Sequence, residues 1–293
     1  MSPHRLTPTD RLIVVYLALA PVAFAFPRRV DAWLSLACAH ALLILLILRP
    51  APGDRMLRPV VHAAPRAAGA LHAWYPLLLV PLFYAELPLL NQSIHGSRYF
   101  DPLILSWERT LFAGQPSREL AGAAPWRWLS ESLHAAYLSY YPIIYLPPIW
   151  IALRRGAAAR DSTIFAVMLT FFVHYLLFIA FPVEGPRYRF PQPDGTTGRG
   201  PLQALTHAIL EAGSSRGAAF PSAHVGIAAA QCVNAYRHHA RLLVPLVPIT
   251  IGLSIGAVYG GFHYAVDVIA GAGLGLITAL AAPTLHRVLE RPA

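Results

Sequence analysis

The 293-residue chain is 56% hydrophobic, is charged at only 13% of its positions and has a mean hydropathy of +0.49. Soluble domains average about 25% charged residues, so this composition excludes a two-domain cytosolic enzyme and calls for a hydrocarbon solvent. All 23 basic residues are arginines, against 14 acids, and they stand singly or in pairs between apolar runs. That pattern indicates positive-inside anchoring and not nucleic-acid binding.

A bilayer core of about 30 Å takes about 20 apolar residues per helix. Eight runs qualify in chain order, at 12–26, 32–48, 71–90, 129–153, 163–183, 222–236, 242–259 and 263–285. The expected fold is therefore an all-α, polytopic membrane bundle of about eight spans. Ala23-Phe24-Ala25 has the form of a signal-peptidase site, but a second apolar run follows at once and favours retention. Prolines recur inside the runs, which membrane helices tolerate because neighbouring groups re-satisfy the freed backbone. Between spans, residues 91–127 alternate apolar and charged positions and read as a helix lying in the interface. Residues 184–221 are rich in Gly, Pro and Arg and read as having no apolar period. Eight spans put both long connections on one face, opposite the two termini. Thirteen arginines fall on the terminal face and ten on the other, where acids balance them. The termini are accordingly expected in the cytoplasm and the long connections outside.

Ionisable groups inside a membrane are costly, so each is a functional candidate. The richest cluster is Phe220-Pro221-Ser222-Ala223-His224, followed by Gly260-Gly261-Phe262-His263-Tyr264-Ala265-Val266-Asp267. His263 and Asp267 stand four apart and share one helix face. Asp267 can accept an imidazole N–H and leave the other ring nitrogen basic, as a nucleophile requires. Ser222 reads as a helix N-cap, whose exposed amides at Ala223 and His224 attract anions. His224 is then placed to protonate a departing alkoxide. Arg187, Arg189 and Arg216 can clamp phosphoryl oxygens through their forked donors. Taken singly, each has a plainer reading. His263–Asp267 can be a buried structural pair, the arginines can meet lipid head groups, and His40, His134, His174, Glu86 and Glu131 read as satisfied polar groups of the bundle. A proton relay in a transporter or lipid-binding protein, and a metal site at His224, His263 and Asp267, are the rival functions. Cys38 and Cys232 lie far apart in apolar runs and suggest neither a metal site nor a disulfide.

Phe220–His224 resembles the second signature, usually Pro-Ser-Gly-His, of the type 2 phosphatidic acid phosphatase superfamily, with Ala223 in the glycine place. His263 and Asp267 match its third signature, and Val183-Glu184-Gly185-Pro186-Arg187 is similar to the first as bacterial members carry it. The resemblance implies a six-helix catalytic core over 71–293, preceded over 1–70 by two further helices and a cytoplasmic loop. It implies His263 as nucleophile, Asp267 as its partner and His224 as acid. With the arginines and helix-end amides supplying positive charge, the reaction is expected to need no cofactor, and the arginine asymmetry puts the membrane lipid substrate at the outer face of a plasma (bacterial inner) membrane. Two departures stand out. The lysine of hydrolytic members is missing, and Gly256-Ala257 replaces their Ser-Arg. His263-Tyr264-Ala265-Val266-Asp267-Val268 instead resembles the sphingomyelin-synthase branch, and the segment from Asp101 to Gly114 resembles inositolphosphotransferase-like members. Water as acceptor makes the enzyme a phosphatase and a lipid or polyol alcohol makes it a transferase, and the residues do not choose between the two.

Overall fold

The computed structural model describes residues 6–25, 33–48, 65–190 and 200–291. Arg5, Arg28, Arg29, Arg49, Arg55, Arg58 and Arg199, which entered the orientation argument, lie outside the described residues. The described chain is all-α. Helices α1 (Pro8–Leu19) and α2 (Trp33–Leu48) precede the long α3 (Pro65–His95). Two short helices, α4 (Asp101–Phe112) and α5 (Pro116–Ala123), then lead to α6 (Arg127–Leu138), α7 (Tyr140–Arg155) and α8 (Ala157–Ala180). The chain ends with α9 (Pro186–Arg189), α10 (Pro201–Gly213), α11 (Ala223–His238), α12 (Leu243–Tyr259) and α13 (Ala265–Glu290).

Four of these helical stretches are by themselves long and apolar enough to cross a bilayer: Gly69–His95, Ala157–Ala180, Ala240–Tyr259 and Ala265–Glu290. Helix α8 is the bundle's axis, with Phe165, Phe171, Tyr175 and Phe178 buried in the main apolar cluster together with residues of α1, α3 and α11. Arg11 donates to the carbonyls of Leu289 and Arg291, at 2.6 and 3.0 Å, so α1 begins where α13 ends. At about 1.5 Å per residue, 26-residue α13 is about 39 Å long. The elements at its start are therefore a bilayer's thickness from the chain ends.

Three elements differ from expectation. The run at 129–153 forms two helices broken at Ser139, because Pro142 cannot donate to the carbonyl four residues back and its ring crowds it. Residues 184–221 contain the 13-residue α10, whose first amides, at Leu202 and Gln203, are capped by the Glu131 carboxylate at 2.9 and 3.0 Å. Finally, the interfacial segment folds as α4 and α5, but α4 turns Asp101 and Glu108 inward to full burial while Leu103, Trp107, Leu111 and Phe112 stay exposed. The usual amphipathic sense, with charges outward, is inverted there because those carboxylates have backbone amides to accept from.

Candidate active site

Two helix starts meet at the end of the bundle far from the chain ends. Ser222 caps α11: its Oγ accepts from the Val225 N–H at 3.4 Å, and its own N–H donates to the Asp267 carbonyl at 2.9 Å. That last bond ties the start of α11 to the first turn of α13. Glycines let the two backbones approach. A Cβ on Gly271 would lie 2.3 Å from the Ser222 carbonyl oxygen, and one on Gly275 2.0 Å from that of Gly226. The amides of Ala223 and His224 open α11 and have no preceding turn to donate into, which makes this end an anion site in waiting.

His263 sits just ahead of α13, after a turn through Gly261 at φ +67°. Its Nδ1 is 3.0 Å from the Ala219 carbonyl and 3.5 Å from Asp267 Oδ2. Asp267 is thus the farther of two partners, and the Ala219 carbonyl takes the N–H expected to reach the carboxylate. The cause is local. As the third residue of α13, Asp267 already accepts the Tyr264 N–H at 2.8 Å, which satisfies a free amide at the helix start. Ala219 is held by a single parallel bridge between Val183 and Ala218, with its N–H bonded to the Val183 carbonyl at 2.9 Å.

With Nδ1–H donated to a carbonyl, His263 Nε2 carries the lone pair. It faces His224 Nδ1 at 3.3 Å, with the ring centroids 5.3 Å apart. His224 Nε2 in turn meets the Tyr137 hydroxyl at 3.2 Å. One assignment satisfies the whole chain: Tyr137 O–H donates to His224 Nε2, and His224 Nδ1–H donates to His263 Nε2. The proton that an acid would deliver then already points at the nucleophile's lone pair. Tyr137 and Tyr140, on either side of the Ser139 break, lie 4.9 and 4.1 Å from the His224 ring and hold it in place.

The three arginines part company. Arg187 donates from its guanidinium to Ser214 Oγ at 3.4 Å and lies over the Tyr188 ring. Arg189 and Arg216 bind Glu184 instead, at 3.2 and 2.5 Å, and Arg189 also lies 3.7 Å from Asp101. The bond to Glu184 raises the Arg216 pKa above its ordinary value. These two line a cavity of about 320 Å³ with Gln92, Tyr99 and Glu184. The structure therefore brings Ser222, Ala223, His224, His263 and Asp267 into one locality, with Arg187 held at Ser214 and Arg189 and Arg216 held at Glu184.

A family model for the PAP2 superfamily, the type 2 phosphatidic acid phosphatases, matches residues 103–281. The chain belongs to the PAP2 superfamily. The match runs from α4 into α13 and so contains both histidines, Asp267 and all three arginines. No curated protein and no solved structure matches the chain. Membership suggests phosphatase or phosphotransferase activity, and the four long apolar helices suggest an integral membrane protein.

Sequence reasoning missed Tyr137, Tyr140 and the roles of Asp101 and Glu108. The tyrosines carry no sequence signal, since aromatic residues in an apolar run read as core. Asp101 and Glu108 had one: two acids seven apart share a face of an amphipathic helix. Among the bundle polar groups, His40 is paired with Glu86 at 2.7 Å and Glu131 with α10, whereas the Nε2 atoms of His134 and His174 have no hydrogen-bond partner among the described residues.

Proposed function

We propose that this protein transfers or hydrolyses the phosphate-containing head group of a membrane lipid through a phosphohistidine on His263. The observation that carries the reading is the His263–His224 pair beside the α11 amides, with His263 Nδ1 committed to Ala219 and Nε2 left to attack. In the first step His263 Nε2 bonds to phosphorus, the P–O bond to the leaving group breaks, and the His224 Nδ1 proton passes to the departing oxygen. Asp267, 3.5 Å from Nδ1, offsets the positive charge the phosphorylated ring acquires. In the second step an acceptor hydroxyl loses its proton to His224 and attacks phosphorus, releasing His263. The Ala223 and His224 amides and Arg187 stabilise charge on the non-bridging oxygens. Arg189 and Arg216, at the neighbouring cavity, meet the rest of the polar head. The 3.3 Å contact is a direct hydrogen bond, so the rings must part to admit a phosphoryl group.

The missing lysine and the Gly256-Ala257 substitution support the phosphotransferase branch, with a lipid or polyol alcohol as acceptor. The site faces outward and the termini inward in this reading, and residues 71–293 are the catalytic unit. The test uses purified protein, a panel of ³²P-labelled lipid phosphates and phosphodiesters, and added alcohols. Acid-labile label that disappears in His263→Ala supports the reading, and a new phosphodiester identifies transfer where inorganic phosphate identifies hydrolysis. Full turnover in both His263→Ala and His224→Ala overturns it. The Tyr137–His224–His263 chain also suits a proton relay, for which turnover would be absent and proton flux would depend on both histidines.

A further inference from the structure

We infer that Asp101 and Glu108 of α4 are positioning residues for this reaction, holding the loop of Arg187 and the loop of His263 in register with each other. The inference rests on the proposed phosphohistidine reading. Asp101 is fully buried. Its Oδ2 accepts the Glu184 N–H at 2.9 Å, while its Oδ1 accepts the Gly185 N–H and the Tyr264 hydroxyl, each at 3.0 Å. One carboxylate thus spans the segment entering α9, which carries Arg187, and the residue directly after His263. Seven positions on, Glu108 is also fully buried, and its Oε1 accepts the Ala265 N–H at 2.5 Å. Helix α4 therefore presents two carboxylates on one face, gripping the loops that bring the arginine and the nucleophile to the site.

Simple packing would not choose these residue types. An apolar side chain fills the same space at less desolvation cost. Carboxylates are retained where backbone donors need acceptors, and the Tyr264–Ala265 amides lie at a helix start whose partial positive charge favours acids. Asp101 must be a carboxylate, because its two oxygens serve two separate backbone amides. An asparagine would turn its NH₂ on one of them. Glu108 needs one acceptor oxygen only, as its Oε2 has no partner among the described residues, so a glutamine carbonyl can replace it. Four groups near His263 thus divide the work: the Ala219 carbonyl sets its tautomer, Asp267 its charge, and Asp101 and Glu108 its location relative to Arg187.

The difference between the two acids supplies the test. Orthovanadate, which mimics the transferred phosphoryl group, is titrated calorimetrically into the purified full-length protein in micelles, with thermal unfolding recorded for each variant. His263→Ala is expected to abolish binding. Asp101→Asn is expected to weaken it roughly tenfold, the scale of one charge-assisted hydrogen bond replaced by a clash of donors. Glu108→Gln is expected to stay within about threefold of wild type and Glu108→Leu to lose roughly tenfold, because only the leucine leaves the Ala265 amide unmet. Folded Asp101→Asn and Glu108→Leu proteins that bind vanadate like wild type, while His263→Ala does not, overturn the positioning role and leave the phosphohistidine reading intact. Affinity that falls only in step with unfolding temperature likewise overturns the positioning role. Vanadate binding that is absent from wild type, or indifferent to His263→Ala, overturns the underlying reading and this inference with it.

Discussion

Replacing Gly271 with alanine separates the spacing of the two histidine-bearing helices from the stability of the bundle. Gly271 lies in the second turn of α13, and a methyl group there would stand 2.3 Å from the Ser222 carbonyl oxygen, where ordinary contact begins near 3.4 Å. The obstacle is backbone, so α11 must back away by about 1 Å, the difference between those two distances. Ser222 is two residues before His224 and its N–H is bonded to Asp267, so the displacement reaches the acid directly. Overpacking costs typically about 1–3 kcal/mol, whereas alanine in place of glycine returns about 0.8–1.0 kcal/mol of helix propensity. The net loss, about 2 kcal/mol at most, leaves a folded protein. The catalytic loss is larger, since a misplacement of about 1 Å can cost about 100-fold in rate. Turnover of the lipid identified in the labelled panel, measured beside thermal unfolding, checks both numbers. Gly273→Ala is the control: a Cβ there meets nothing within 4 Å, so stability should rise slightly and turnover stay constant. If Gly271→Ala turns over at the wild-type rate while His263→Ala is dead, close approach of α11 and α13 does not set the geometry of catalysis.

Tyr137→Phe removes the donor to His224 Nε2, and a net hydrogen bond of about 0.5–1.5 kcal/mol corresponds to a kcat loss of roughly two- to thirteenfold. Steady-state kinetics should show KM unchanged; a change confined to KM would make Tyr137 a substrate contact instead. Glu86→Leu strips the acceptor from both Tyr16 and His40, bonded to it at 2.9 and 2.7 Å. Each buried donor left unmet costs about 1–3 kcal/mol, so hydrogen exchange should show α1 and α2 loosening first, and unchanged protection there would refute the pairing. Burial pushes the Glu108 carboxyl from 4.5 up to about 7, with Asp267 and Glu119 adding repulsion. A raised acid pKa means the folded chain holds this proton more tightly than the unfolded one. Its stabilising contribution is thus full below about 4.5 and is lost as pH rises through about 7. Glu108→Gln should therefore flatten the fall in unfolding temperature between pH 5 and 8, by comparison with wild type over about the same range; identical profiles would show that Glu108 does not titrate there.

Composition and periodicity by themselves determined the class of this protein. A chain with so few charges and repeated apolar runs has to be a helical membrane bundle, because only helices or closed barrels satisfy their backbone in hydrocarbon. The helix start at Ser222 was legible for a related reason, whereas the last run, read as beginning at His263, becomes helical only at Ala265. Capping, proline placement and four-residue spacing are local properties, written within a turn or two of sequence. So were His224, His263 and Asp267 as candidates. What each one touches was not local. Ala219 displaces Asp267 as the nearest partner of His263 across 44 positions, Tyr137 reaches His224 across 87, and Asp101 joins Tyr264 across 163. Arg189 and Arg216 look equivalent to Arg187 in sequence, yet Glu184 claims both. Hydrogen bonds are directional and short, so which donor meets which acceptor depends on how α4, α6, α11 and α13 pack, and only the tertiary structure decides that.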